Sequence, residues 1–225
     1  MQKIKANSRS RKALWLGIII CSLASLFYVY DYFVQVAPSV MTRQLMSSFS
    51  IDAESLGVLS SCFFITYTLM QIPAGMLLDR FGARRMLSSA ALVSALGVLL
   101  FGFAHQLWVA ELARALIGLG SAFAFLSTVS LISRWFEHHY FAFLVGFLQF
   151  AGALGSIFGQ GPLALFVNEA GWRSAMIWIG VGSLLLSLIF ALVIRDGKAV
   201  SPQKNLQQKQ KGSLRKVFKN SQVWW

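Results

Sequence analysis

Six long apolar segments, separated by short polar stretches, occupy most of the chain. A helix needs about 20 mostly apolar residues to cross the hydrocarbon core of a bilayer. Each segment reaches about that length, so the pattern predicts six membrane-spanning helices, at about residues 13–37, 55–78, 86–104, 107–131, 140–167 and 173–195. Basic residues precede the first segment, as in a signal peptide. That segment is too long and has no small-residue cleavage site, so we expect it to remain as the first helix.

Composition agrees with this pattern. Of the 225 residues, 56% are hydrophobic and only 12% are charged, and the mean hydropathy is +0.64, which is far from the balance of a soluble globular chain. The formal net charge is +12. A nucleic-acid interface needs basic residues clustered on one solvated face, whereas these residues lie between apolar segments, so we expect no nucleic-acid partner.

The distribution of lysine and arginine predicts the orientation of the helices. Arg43 and Arg173 follow odd-numbered spans. Most other basic residues precede the first span or follow even-numbered spans: Lys3, Lys5, Arg9, Arg11, Lys12, Arg80, Arg84, Arg85, Arg134, Arg195, Lys198, Lys204, Lys209, Lys211, Arg215, Lys216 and Lys219. By the positive-inside rule both termini are cytoplasmic. Residues 1–12 are then a basic cytoplasmic tail, and the loop between the second and third spans is cytoplasmic.

That loop, GMLLDRFGARRML at residues 75–87, is unusually rich in charge. We expect Gly75 to allow close approach of a neighbouring helix and Gly82 to permit the reversal into the third span. Arg84 and Arg85 then begin the third helix. An ordinary positive-inside loop would explain the arginines, but not Asp79, since a carboxylate contributes little to orientation and is costly at the end of a span unless it has a partner.

The same stretch resembles the G-x-L-x-D-R-x-G-R-[KR] loop motif of major facilitator superfamily transporters. Ala83 departs from the motif where a basic residue is usual, and Arg85 stands in for it. The matching positions are Gly75, Leu77, Asp79, Arg80, Gly82 and Arg84. In that family the loop helps to hold one state of the alternating-access cycle. The resemblance therefore implies that Asp79 and Arg80 are conformational latch residues rather than substrate ligands.

Three further stretches are similar to the family. LARALIGLGSA at 112–122 resembles the fourth-helix R-x-x-x-G-x-G signature through Arg114, Gly118 and Gly120, although Ile117 replaces a residue that is often polar. Residues 134–162 resemble the loop and fifth helix, and 171–178 the start of the sixth helix. The resemblance covers residues 13–195 and implies an all-α membrane bundle, the amino-terminal six-helix half of such a transporter.

An internal similarity supports this architecture. DRFGAR at 79–84 and NEAGWR at 168–173 both join helices with an acid, a glycine and an arginine, on opposite sides of the membrane and three spans apart. This is the pattern of an inverted three-plus-three repeat.

Ionisable residues inside the spans are the clearest functional signal, because each is costly unless it is paired or faces water. Asp31 and Arg114 lie at similar predicted depths. We hypothesise that both face one cavity, where Arg114 attracts an anionic group of the substrate and Asp31 is its counter-ion or a proton acceptor. Alternatively, Glu111 pairs with Arg114 along the helix. Asp31 shares one helix face with Tyr28, Tyr32 and Gln35.

Other polar and small residues fit two interpretations. Tyr67, Gln71, Gln149 and Gln160 either line a polar path or join helices by hydrogen bonds. A second group makes the fifth helix a close-packing and bending element: Gly152, Gly155, Gly159, Gly161 and Pro162. Cys21 and Cys62 lie in apolar segments, and the side chains of the adjacent residues His138 and His139 diverge, so we expect no metal site.

After the sixth span the chain is polar and rich in lysine and glutamine. We expect residues 196–221 to form a cytoplasmic linker and 222–225, with Trp224 and Trp225, to begin a seventh helix. Since family members commonly have two six-helix halves, the resemblance implies a missing second half, a separate partner half, self-association or an inactive fragment.

The leading functional prediction is a secondary transporter for a small solute in the plasma or bacterial inner membrane, without a cofactor or covalent chemistry. Within the family it resembles, the tyrosine-rich first helix and Arg114 favour an organic-anion, sugar-acid or sugar-phosphate carrier, although a peptide or drug carrier is an alternative. If transport is coupled to protons as a symport, Asp31 is the expected proton acceptor. An intramembrane serine protease is disfavoured because no histidine in a later span can activate Ser121. A membrane scaffold or sensor that does not transport remains the second alternative.

Overall fold

The computed structural model describes the backbone of residues 2–194 and the side chains of residues 15–194. Within this part of the chain the secondary structure is entirely helical. A single 3₁₀ turn, His138–Tyr140, precedes α7. The α-helices are α1 (Gln2–Val40), α2 (Thr42–Phe49), α3 (Ala53–Phe81), α4 (Ala83–Gly102), α5 (Leu107–Ser121), α6 (Ala124–Trp135), α7 (Phe141–Ala170) and α8 (Trp172–Val193).

Six of the described segments are long and apolar enough to cross a membrane, and each coincides with one predicted span. The fourth span consists of α5 and α6 with a break between them. The six-helix prediction is therefore confirmed. Helix α1 also extends backward to Gln2, through the predicted basic tail. The predicted linker and the predicted start of a seventh helix, residues 196–221 and 222–225, lie outside the described residues.

The short helix α2 is absent from the sequence prediction, and it packs across the junction of α7 and α8. Leu45 at its centre is fully buried. The side-chain amide of Gln44 donates to the carbonyl of Val167, and its oxygen accepts from the backbone N–H of Trp172. The indole N–H of Trp172 donates to the hydroxyl of Ser48 over 3.0 Å. These bonds tie the link between the first two spans to the end of the fifth span and the start of the sixth.

The residue before α3 caps that helix. The carboxylate of Asp52 accepts a hydrogen bond of 2.9 Å from the backbone N–H of Ser55. This bond satisfies one of the unpaired donors at the helix start. It also holds the pKa of Asp52 below its usual value, because it stabilises the ionised carboxylate.

The helix pairing follows an inverted repeat. The first repeat contains α1, α3 and α4, and the second contains α5–α6, α7 and α8. Helix α1 packs extensively on α7, and the equivalent pair, α5 and α3, packs together in the same way. Helices α4 and α8 occupy corresponding places in the two repeats and pack along each other. The predicted three-plus-three architecture therefore describes the bundle.

Glycines make the two equivalent contacts possible. A Cβ atom at Gly155 in α7 would lie 2.2 Å from the carbonyl oxygen of Val29 in α1, and one at Gly118 in α5 would lie 2.3 Å from that of Phe63 in α3. Only glycine allows such close approach of two backbones. The close approach expected at Gly75 is not found, since no described atom lies within 4 Å of a Cβ placed there.

Three further glycines also lie in close contact with a neighbouring helix. Cβ atoms at Gly120, Gly152 and Gly159 would lie under 3.0 Å from Ala90, Tyr28 and Phe33 respectively. Gly161 has no described atom within 4 Å, so the close packing expected along the fifth helix does not extend to it. Pro162 lies inside α7, which continues past it to Ala170.

The two similar loops form the same turn. Gly82 ends α3 with φ 82° and ψ 161°, and Gly171 ends α7 with φ 79° and ψ 154°. The arginine two residues later bonds across the bundle in both repeats. Arg84 donates to the carbonyl of Ala191, at 2.9 Å, and Arg173 donates to that of Ala104, at 3.1 Å.

Candidate functional site

The predicted polar face of α1 lies inside the bundle and bonds to α7. Tyr28 is 4% exposed. Its hydroxyl donates to the side-chain oxygen of Gln149 and accepts from the hydroxyl of Tyr32, at 3.1 Å. The two tyrosine rings meet edge to face with centroids 4.9 Å apart. The structure thus brings three predicted site residues, from the first and fifth spans, into one hydrogen-bonded group.

Arg114 is buried between α1 and α3, with 2% of its surface exposed. Its Nη1 and Nη2 atoms donate long hydrogen bonds to the carbonyl oxygens of Val34 and Gln35, at 3.3 and 3.5 Å. Its guanidinium carbon lies 4.8 Å from the centroid of the Phe63 ring. Backbone carbonyls and an aromatic face therefore surround a charge that is costly to bury.

A proline in α1 explains the position of these acceptors. Pro38 lies inside the helix, and its nitrogen carries no hydrogen to donate to the carbonyl four residues earlier. That carbonyl belongs to Val34, which is the first acceptor of Arg114. The proline in VAPSV shows from the sequence alone that one helical donor is missing. The sequence does not indicate which side chain replaces that donor.

Asp31 is 6% exposed and points into the same interior. Its Oδ1 atom has no hydrogen-bond partner. The groups that act on its charge are the hydroxyl of Ser121 and the guanidinium of Arg114. Even so, no Asp31–Arg114 ion pair within 4.0 Å occurs among the described side chains, where His139 and Glu137 form the only such pair. The two opposite charges share one interior region without direct contact.

The structure does not contain the alternative ion pair between Glu111 and Arg114 along α5. Glu111 makes no ion pair with Arg114 within 4.0 Å.

The predicted open cavity around Asp31 and Arg114 is not present in this structure, because both side chains are almost completely buried. A substrate would therefore reach them only after the surrounding helices move.

Some of the remaining predicted polar residues lie close to Arg114, and others lie elsewhere on the helices. Tyr67 stacks on Phe63 with ring centroids 5.9 Å apart, so it extends the aromatic surface beneath Arg114. Gln35 contributes its backbone carbonyl to Arg114. Gln71 lies beside Tyr67, whereas Gln160 is exposed on α7. The sequence interpretation missed Phe63 altogether, because an apolar phenylalanine gives no polar signal.

Ser121, which the sequence suggested only as a disfavoured protease nucleophile, is buried close to Asp31. It is 2% exposed, and its hydroxyl has no hydrogen-bond partner. It lies at the last residue of α5, where the fourth span breaks. A buried hydroxyl without a partner is costly, and here it lies near the carboxyl group of Asp31.

The loop motif lies at the far end of α3 and is exposed. Asp79, Arg80 and Arg85 are all solvent-accessible, and the Arg80 guanidinium lies 5.2 Å from the Phe81 ring centroid. Asp79 makes no ion pair within the described part of the chain.

Residues suited to hold a metal ion do not cluster. No group of three or more histidine, cysteine or acidic side chains is found between residues 15 and 194. Cys21 and Cys62 are free thiols.

Comparison with known families identifies the class of protein. The family model described as Major Facilitator Superfamily matches residues 14–225. The chain therefore belongs to the major facilitator superfamily, in agreement with its helix order, its repeat and its loop motif.

Three curated relatives carry the word transporter in their names. The chain is 32% identical to an uncharacterized transporter, YybO, of Bacillus subtilis over 76% of its length. It is 26% identical to a probable sulfoacetate transporter of Cupriavidus necator over 92% of its length, and 28% identical to a probable L-galactonate transporter of Escherichia coli over 88%. The chain spans 39%, 49% and 43% of those three proteins, respectively.

Solved structures show the same fold. The chain superimposes with a TM-score of 0.78 on a bacterial homologue of the human lysosomal transporter Spinster, captured in an inward-facing and unoccupied conformation. The match covers 91% of this chain and 48% of that one, at 18% identity. The six helices thus correspond to about half of a complete transporter.

Proposed function

We propose that this chain forms the amino-terminal half of a secondary transporter that carries a small organic anion by alternating access. The observation that carries the proposal is the environment of Arg114. Among the described side chains no carboxylate lies within 4.0 Å of its buried charge, which is held by two long bonds to carbonyls. Such bonds are weaker than those to a carboxylate or sulfonate, so an anionic substrate can replace them.

The relatives support the substrate class. The names of three relatives include sulfoacetate, L-galactonate and galactarate or D-glucarate. All are small organic anions with polar groups. The phenols of Tyr28 and Tyr32 and the amide of Gln149 lie in one hydrogen-bonded group across α1 and α7. These residues supply donors and acceptors for hydroxyl groups of a sugar acid.

Asp31 is the proposed site of proton coupling. When an anion binds at Arg114, it offsets the positive charge that stabilises the ionised form of the buried Asp31 carboxyl, so Asp31 then gains a proton more readily. Proton binding at Asp31 and anion binding at Arg114 are thus linked through their mutual electrostatic interaction. This linkage makes proton symport across the plasma or inner membrane the proposed mode of transport.

The remaining parts of the proposal concern the whole protein. Residues 1–12 form a basic tail, residues 13–195 the six-helix half, residues 196–221 a cytoplasmic linker, and residues 222–225 the beginning of a seventh helix. A second six-helix half completes the cavity, and Asp79 and Arg80 act with it as the conformational latch. Self-association of this half and a scaffold without transport are the alternatives.

Uptake by the complete protein tests the proposal. Cells that express it are supplied with labelled galactonate or sulfoacetate at two external pH values. The matched variants are Arg114→Gln and Arg43→Gln, since Arg43 is exposed on α2. We expect uptake that rises at acidic external pH and is lost only in Arg114→Gln. Normal membrane levels without uptake of either anion would instead favour the scaffold or another substrate class.

A further inference from the structure

A cleft lies between α4 and α8, away from the buried polar residues of the candidate site. Its volume is about 1090 Å³, just above the ~300–1,000 Å³ that is usual for ligand pockets. Arg84 and Arg85, in the first turn of α4, line one part of it, and Leu188 and Ala191, near the end of α8, line the opposite wall. The cleft therefore opens at the membrane boundary that the positive-inside rule assigns to the cytoplasm.

The lining changes from cationic to apolar along α4. Arg84 and Arg85 are followed one turn later by Ser88 and Ser89, and then by Leu92. At 1.5 Å per residue this gradient extends over about 12 Å. The apolar part is open to the surroundings, with Leu92 44% exposed. A molecule that fits this lining has an anionic end and a long apolar end.

Two serines, Ser88 and Ser187, also line the cleft. The Oγ atom of Ser88 is inaccessible and has no hydrogen-bond partner. The hydroxyl of Ser187, which also lines the cleft, donates to the backbone carbonyl of Ser88 and not to its side chain. Because the Ser88 hydroxyl is inaccessible, an anion in the cleft contacts the exposed side chains of Arg84 and Arg85 instead.

We propose that this cleft binds an anionic phospholipid, with the phosphate beside Arg85 and an acyl chain along Leu92 and Leu188. Basic pockets between transmembrane helices on the cytoplasmic side recognise such headgroups. Arg84 already donates to Ala191 in α8. A lipid headgroup beside Arg84 and Arg85 therefore reinforces the contact between the third and sixth spans, the two equivalent helices of the repeats.

Native mass spectrometry of the full 225-residue chain in detergent tests the headgroup contact. Phosphatidylglycerol and phosphatidylcholine of identical acyl chains are added separately. We expect tighter binding of phosphatidylglycerol, and an affinity lowered about fivefold by Arg85→Gln, as expected for one basic residue near an anionic surface. Arg134→Gln removes a charge on the same predicted side but outside the cleft, so it should leave binding unchanged. An equal effect of both variants, or no headgroup preference, overturns the proposal.

A second pair of variants tests the acyl contact and separates a lipid from a free anion. Leu188 lines the cleft, whereas Leu185 on the same helix does not, and their exposures are 57% and 59%. We expect Leu188→Trp to reduce phosphatidylglycerol binding and Leu185→Trp to leave it intact. If Leu188→Trp has no effect and inorganic phosphate displaces the lipid, the cleft is an anion site and the lipid proposal fails.

Discussion

Arg114 in the fourth span donates a hydrogen bond to the backbone carbonyl of Val34 in the first span, at 3.3 Å. This carbonyl lacks its usual helical donor because Pro38 stands four residues later. A helix defect in one repeat thus anchors the buried charge of the other. Since the anchor consists of long bonds to neutral acceptors, it holds Arg114 in place and still permits an anion to compete for it.

Replacing Arg114 with lysine should reduce uptake by the complete transporter by roughly tenfold or more. Lysine keeps the charge but not the planar fork that reaches two carbonyls, and losing one bond to a charged group costs about 1.5–3 kcal/mol. Initial uptake rates, normalised to membrane protein, measure the effect. Glu111→Gln is the control, and an equal loss there would restore the local Glu111–Arg114 pair as an explanation.

Replacing Pro38 with alanine should weaken the anchor of Arg114 while strengthening α1. The new N–H competes with Arg114 for the Val34 carbonyl. We expect a changed apparent affinity for the transported anion with no loss of thermal stability. Concentration-dependent uptake and melting in detergent check both parts. Pro162→Ala restores an N–H in α7 instead, and a similar affinity change in that variant would argue against a specific role of Pro38.

Gly155→Ala should destabilise the bundle. The added Cβ would lie 2.2 Å from the Val29 carbonyl, so α1 and α7 must separate, and overpacking of this kind costs about 1–3 kcal/mol. We expect the melting temperature of the purified chain to fall by several degrees. Gly161→Ala is matched in helix and residue type and meets no atom within 4 Å. Equal melting temperatures for the two variants would mean that the close contact is not required.

Gly82→Ala and Gly171→Ala should each lower stability by a similar amount. Both glycines have φ near 80° with extended ψ, a conformation that is essentially restricted to glycine and costs other residues about 1–3 kcal/mol. Thermal unfolding of the two variants should give comparable shifts, as the repeat implies. Gly75→Ala lies in a regular helix with open space around it. A larger loss from Gly75→Ala than from the other two would contradict this reasoning.

The sequence by itself determined the six spans, the repeat and the family. Apolar length specifies a membrane span because the thickness of the bilayer is fixed. The turns at Gly82 and Gly171 could be predicted because a reversal between helices needs a conformation that glycine adopts. The sequence also indicated Tyr28, Asp31 and Arg114 as candidate site residues, since polar groups inside spans are rare and costly.

Only the tertiary structure decided what these residues contact. Gly75 and Gly155 look alike in sequence, yet only Gly155 faces another backbone, because the facing helix is set by packing over long sequence separations. The partners of Arg114 are two backbone carbonyls and the Phe63 ring. Every residue has a carbonyl, and an apolar ring has no polar signature, so local sequence could not identify them. Their role follows from the way α1, α3 and α5 pack together.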